Sequence, residues 1–419
     1  MATTLAEVLR RFGPELLRQW HAQGRDLRPA QAKAWRAITD CRTPALGGQL
    51  LRCDGCASQQ WRWHSCRNRH CPQCQSHQRE AWRCARGAEL LNVPYCHLVF
   101  TLPHELNALA NAHPRWAYDT LLDTTAATLT QFAADPRWLG GIGAFTLVLH
   151  TWTQDLRRHL HVHALMACGA LSHDAQGQPS WQPPRRSPHF LFPVRALSMV
   201  FKAKFMQALQ AAQAAGKLRL DPQPDPAQRA ERDRALQAKP WVVYAKTPLA
   251  GPAAVLDYLS RYTHRTAIGN ERLLGIRGEQ LRFRTRVNRR PSAPAAPADG
   301  RAHSSVTTLA GTEFIGRLMQ HVLPTGFKRI RHYGLLAPAA KAQRLAQARA
   351  LLAMPAANPA VAEAVREFMQ RVAGIDILRC PHCATGRWQT VACLGPQRLG
   401  GPAQPAPPPN QHPPTTGPP

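Results

Sequence analysis

Apolar residues recur at helical spacing over residues 3–20 ("TTLAEVLRRFGPELLRQW") and 29–39, which predicts two amphipathic helices at the start of the chain. Beyond a cysteine- and arginine-rich stretch the period changes to two. "NVPYCHLVFTLP" (Asn92–Pro103) reads as a strand ended by proline. Residues 104–134 predict helix, with Pro114 opening a second one. "GAFTLVLHTW" (Gly143–Trp152) and "HLHVHALMAC" (His159–Cys168) then read as strands joined by a short polar turn, an antiparallel hairpin. A helix over Ala196–Gln213, a strand over Trp241–Lys246 and a helix over Gly251–Arg265 follow. Two strands flank the Pro/Ala-rich loop Arg289–Gly300, and helices occupy 311–321, 338–353 and 359–372. This succession describes an α+β chain. From Gly395 to Pro419 the composition supports no core and predicts disorder.

With 419 residues, 44% of them apolar, the chain has material for two or three domains. Its formal net charge of +28 points to a polyanionic partner, nucleic acid before an acidic protein or an anionic membrane. Only eight of the 53 basic residues are lysine. Arginine suits bidentate phosphate contacts, although a G+C-rich genome produces the same bias. There is no run of 18 apolar residues and no signal-peptide pattern, so the expected place is the cytoplasm, at the nucleoid, with no membrane partner. There the twelve cysteines, eight within Cys41–Cys96 and three within Cys380–Cys393, read as metal ligands rather than disulfides.

"CDGC" (Cys53, Cys56) and "CPQC" (Cys71, Cys74) supply four thiolates able to close a tetrahedral Zn²⁺ site; a redox pair is the other reading. Cys41, His64, Cys66 and His70 offer ligands for a second site or for exchange with a knuckle thiolate. Cys380 and Cys383 of "CPHC", with Cys393 nearby, offer a further small zinc site. Arg62, Arg67 and Arg69 lie between the first two knuckles, where a zinc scaffold would present them to DNA phosphates.

In "RRHLHVHAL" three histidines alternate along one strand, so His159, His161 and His163 share a face at about 6.6 Å spacing. If the turn near Gln154–Arg157 closes the hairpin, His150 lies opposite. His150, His161 and His163 then make a three-imidazole site with open positions, as in a catalytic metal centre. A solvated histidine-rich strand is the competing reading. Tyr258 and Tyr262, four residues apart in "YLSRYTHR", place two hydroxyls on one helix face. Taken alone that spacing describes core packing; beside a metal site it describes a pair of nucleophiles. Lys246, Arg261 and Arg265 are available to stabilise phosphate charge, and no GxxxxGK[ST] loop is present.

These residues together resemble the two-tyrosine HUH transposases of rolling-circle insertion sequences, the insertion-sequence-91 family. The likeness extends over "CRTPALGG", "SCRNRHCPQCQ", "PYCHLVFTLPHEL", "VVYAKTPLAGP", "YLSRYTHR" and "GFKRIRHYGLLA", from Cys41 to Ala337. It implies an antiparallel, palm-like HUH-type sheet flanked by helices, behind a small N-terminal zinc-binding domain. It also implies Mg²⁺ or Mn²⁺ at the histidines and single-strand nicking through a 5′-phosphotyrosine, with the second tyrosine handling a second strand during transfer. Imidazole-only sites also suit softer ions, so the metal's identity comes from the resemblance. Gln49 stands where the family pattern leads one to expect histidine, a departure that bears on any second zinc site. The loop Arg289–Gly300 and the proline-rich tail look like additions that tolerate deletion.

The implied division is 1–80 (helices and zinc-binding domain), 81–337 (HUH catalytic domain), 338–394 (helical segment with the CxxC knuckle) and 395–419 (tail). Three rival readings draw on the same residues. A replication initiator or relaxase has the HUH core but is not expected to carry the cysteine string. A non-enzymatic zinc-knuckle DNA-binding protein would use the histidines and tyrosines for packing only. A metal-free tyrosine recombinase would draw on Arg329, Arg331, His332 and Tyr333 of "RIRHYG" and leave the histidines without purpose.

Overall fold

The period-two pattern around the histidines becomes the centre of the computed structural model, which describes residues 3–74, 76–187, 190–219, 225–246, 255, 267–286, 304–356, 363–383 and 385–397. In chain order its elements begin with α1 (Leu5–Ala22), α2 (Pro29–Asp40), β1 (Gly48–Cys53), β2 (Gln59–Trp63), α3 (Ser76–Gly87) and β3 (Tyr95–Thr101). Next come α4 (Asn107–Ala112), α5 (Pro114–Ala134), β4 (Ile142–Trp152), β5 (Arg158–His173), β6 (Pro179–Gln182), α6 (Val194–Ala214), α7 (Pro226–Ala238) and β7 (Val243–Ala245). The remainder is β8 (Leu273–Arg277), β9 (Gln280–Arg286), β10 (Ser304–Ala310), α8 (Gly311–Met319), β11 (Ile330–Gly334), α9 (Lys341–Leu351), α10 (Val365–Ala373) and β12 (Trp388–Leu394).

The main sheet is antiparallel in the order β11-β4-β5-β3-β7, with β6 paired to the far end of β5. Alternation gives it two different faces. Leu160, Val162, Ala164 and Met166 of β5, with Phe145 and Leu147 of β4, point into a core closed by α5 and α6. On the other face Leu165 and Ala167 of β5 and Ala144 of β4 pack with Leu345 and Ala348 of α9 and with Val255. Val255 is helical and fully buried. The rest of the predicted helix Gly251–Arg265, the loop Arg289–Gly300 and the tail from Arg398 onward lie outside the described residues. The mixed architecture, an antiparallel sheet flanked by helices with clustered cysteines towards the N-terminus, is the α+β fold that the sequence pattern predicts.

The linear division is corrected by the packing. Helix α1 starts with a Thr4–Glu7 capping box and turns Leu5, Leu9, Phe12 and Leu16 inward, as its periodicity requires. Besides Ile38 and Cys41 of the same segment, their partners include residues far beyond position 80. These are Phe283 of β9, Phe314 and Ile315 of α8, and Leu273, in a second core built on the sheet β10-β9-β8. Likewise β12, from the segment set apart as 338–394, is the outer strand of a sheet with β1 and β2. Amphipathic faces show that a segment is covered; they carry no information about which distant segment covers it.

Candidate active site and metal centres

Strand register assembles the histidines. His150 of β4 pairs with His161 of β5, and Val148 with His163, so one row crosses two strands. The ring centroids of His150 lie 5.5 Å from His161 and 4.5 Å from His163, and those of His161 and His163 are 4.9 Å apart. Each of the three offers a ring nitrogen within 4.8 Å of the other two. His159 is exposed at the start of β5 and is not one of this group.

Two of the rings are held by their Nδ1 atoms. His161 Nδ1 donates to the His159 carbonyl at 3.0 Å, and His163 Nδ1 sits 2.8 Å from Nε2 of His97 on β3. Both are left with Nε2 for a ligand, the arrangement by which outer partners orient metal-binding imidazoles. Burial pushes His161 down to about 4 and His163 well below the usual imidazole range. Both are therefore neutral at pH 7, the coordinating state. His97, which the sequence reading did not single out, is pushed down to about 3, by burial first and then by the nearby Lys246 charge. Lys246 follows β7, is exposed, and donates its backbone N–H to the His97 carbonyl.

The β4–β5 turn is anchored away from the sheet. Leu156 adopts φ +62° and inserts, fully buried, into the second core. His321 Nε2 donates to the Leu156 carbonyl while its Nδ1 lies 3.1 Å from Thr151 Oγ1, next to His150. Arg317 donates to the Asp155 carbonyl. The register at His150 is thus pinned from outside the hairpin.

The cysteines group differently from the sequence expectation. Cys53 and Cys56 are not brought to Cys71 and Cys74. One group is Cys41, Cys66, Cys71 and Cys74; the other is Cys53, Cys56, Cys380 and Cys383. The reason is topological: β1 and β2 carry the first knuckle away on their own sheet, and the α2–β1 corner brings Cys41 to the second. Within the first group, hydrogen bonds from the Cys66 and Cys71 thiols hold Cys41 down to about 2. Four sulfurs in mutual contact fit a thiophilic dication such as Zn²⁺. His64, exposed and bonded to the Leu46 carbonyl, and His70, which burial pushes down to about 3, belong to neither group. Cys393 is exposed on β12, opposite Gln49, and is likewise outside both. Both groups reach four thiols without position 49.

Of the arginines expected at DNA, Arg62 donates to the Ile377 carbonyl and Arg69 to that of Phe327, so both are partly spent on the protein. Arg67 is exposed. Tyr258, Tyr262, Arg261 and Arg265 lie outside the described residues. The recombinase alternative fails on geometry. On β11, Arg331 pairs with Asp119 and Asp123, Tyr333 stacks on Phe145, and His332 points to the opposite face, bonded to Thr146.

Three imidazoles whose ring nitrogens converge on an antiparallel sheet could hold a metal ion through neutral ligands. Comparison with known proteins gives the class of protein to which this sheet belongs. A family model described as "Transposase zinc-binding domain" matches residues 8–102, and one described as "Putative transposase" matches residues 143–344. The chain is 39% identical over 398 residues to "Putative transposase y4qJ" of Sinorhizobium fredii (strain NBRC 101917 / NGR234), covering 92% of this chain and 94% of the relative. It is 26% identical to "Transposase for insertion sequence element IS801" of Pseudomonas savastanoi pv. phaseolicola, over 88% of this chain and 85% of the relative. A solved structure of TrwC complexed with a 27-mer DNA aligns at a TM-score of 0.21 and 15% identity, over 40% of this chain and 75% of that one, too loosely to compare sites. The chain belongs to the insertion-sequence-91 family of transposases, enzymes of DNA transposition. Family membership sets aside the replication-initiator and non-enzymatic alternatives. No helix among the described residues is long and apolar enough to cross a membrane.

Proposed function

We propose that this transposase nicks single-stranded DNA at the ends of a rolling-circle insertion sequence and transfers the strand through a 5′-phosphotyrosine. The observation that carries the reading is the row of His150, His161 and His163, neutral where burial acts on them and with two Nδ1 atoms already engaged. His150, His161 and His163 would hold a divalent cation, Mg²⁺ or Mn²⁺, which when bound would supply Lewis-acid polarisation of a phosphate oxygen. Lys246, close to the row, and Arg261 and Arg265 stabilise charge on the phosphate. Val255 supports a nucleophile arriving on this face: it lies in the same buried cluster as Leu165, which is two residues from His163, and it precedes Tyr258 and Tyr262 in sequence.

In the nicking step a tyrosine oxygen forms a bond to phosphorus as the bond from phosphorus to the 3′ oxygen breaks. The phenol proton leaves, and the departing oxygen takes one up as a free 3′-OH. Bond energy is retained in the phosphotyrosine, so no nucleotide is consumed. The second tyrosine receives the second strand. Cys41, Cys66, Cys71 and Cys74 would hold Zn²⁺, which would stiffen the segment that presents Arg67 to DNA.

The test is to incubate the chain with single-stranded element-end DNA and Mn²⁺ and look for a covalent adduct. An adduct lost in the Tyr258→Phe/Tyr262→Phe double variant is the expected result. No adduct, or an adduct unchanged in that variant, rejects the mechanism.

A further inference from the structure

We infer that Cys53, Cys56, Cys380 and Cys383 bind a zinc ion of their own, so that the knuckle near the end of the chain is the second half of a site begun near its start. The matched zinc-binding domain ends at residue 102 and so leaves Cys380 and Cys383 outside it. The geometry is that of a tetrathiolate. Cys53 and Cys383 sulfurs lie 3.6 Å apart, Cys56 and Cys380 sulfurs 3.8 Å, and all four fall within 4.8 Å of one another. Four sulfurs arranged tetrahedrally at a Zn–S distance of about 2.3 Å are separated by about 3.8 Å.

The backbone treats the two knuckles alike. Gly55 N–H points at Cys53 Sγ (3.3 Å) and His382 N–H at Cys380 Sγ (3.4 Å), each donor two residues after its acceptor. Gly386 N–H adds a bond to Cys383 Sγ at 3.3 Å. Such donors stabilise thiolates, the ligand form of cysteine. Between the knuckles, Asp54 N–H donates to the Arg387 carbonyl and Arg387 N–H to Asp54 Oδ1 at 2.7 Å. Close approach demands glycine: a Cβ on Gly386 would overlap Cys53 Sγ.

Apolar burial alone is thin in this part of the fold. Its separate core consists of Leu51, Cys53, Cys380 and Trp388 with Cys56 and Cys383 against it, too few apolar side chains to hold three strands together. Zinc binding supplies folding energy outright in domains this small.

Thiol footprinting of the full-length zinc-loaded chain tests the inference without DNA, independently of the nicking mechanism. With N-ethylmaleimide, exposed Cys393 should label at once while Cys53, Cys56, Cys380 and Cys383 are all spared and become reactive together when a chelator is added. Labelling of Cys380 and Cys383 while Cys53 and Cys56 stay protected overturns it. Bound zinc gives a second reading: the Cys380→Ser/Cys383→Ser chain should lose one of two ions, and retention of the full content overturns the inference. Because the footprint uses the unaltered chain, it decides even where the variant does not fold.

Discussion

His97 shows how much of the histidine row depends on a residue outside it. Its contact engages Nδ1 of His163 and so leaves Nε2 to face the proposed metal. In the His97→Ala chain, Mn²⁺ affinity should fall by about 10–100-fold, the usual effect of removing such a partner. Calorimetric titration measures this, and an unchanged Kd would mean that His163 orients itself. Gly334 is another single-residue constraint. It has φ +64° at the end of β11, where a Cβ would collide with the Gly143 carbonyl. Gly334→Ala should destabilise the chain by about 1–3 kcal/mol or more, seen as a lower urea midpoint with an unchanged slope. The row His150-His161-His163 was legible in the sequence because a strand's period is fixed and a short turn sets register. His97 was not, because its partner is 66 residues away and nothing local marks it.

At the scale of elements, the β4–β5 turn joins the sheet to the second core through Leu156 and His321. Leu156→Ala should cost about 2–5 kcal/mol, the range for a buried leucine. Loss of manganese-dependent nicking should accompany it if the turn sets the His150 register. Burial pushes His321 down to about 4, so the folded state keeps it neutral while the unfolded chain protonates it near 6.5. The unfolded state then binds more protons in that interval. Stability from this group is full above about 6.5 and is lost as pH falls towards 4. The difference in Tm between wild type and His321→Gln, followed from pH 7 to 4, should shrink on acidification; a constant difference would contradict the assignment. Long elements such as α1, α5, α6 and the hairpin were readable because several turns or alternations repeat one message. The short strands β1, β2, β6 and β12 were not, since four to seven residues among cysteines and arginines carry no clear period.

For the molecule as a whole, a formal charge of +28 makes DNA affinity a matter of counterion release. Between 50 and 200 mM salt the affinity for single-stranded DNA should drop roughly 10³-fold, measurable by fluorescence anisotropy; a change under about ten-fold would show that few phosphates are neutralised. Cysteine spacing marks the knuckles but not which of them meet: spacing describes local loops, and the cysteines that lie against Cys53 and Cys56 come 324 to 330 residues later. That separation has a consequence during synthesis. Strands β1 and β2 leave the ribosome long before β12, so the nascent chain carries an open-edged hairpin with Leu51 uncovered while most of the protein is still being made. Protection by chaperones over that interval, more than resistance to heat afterwards, should govern how much of this fold a cell recovers.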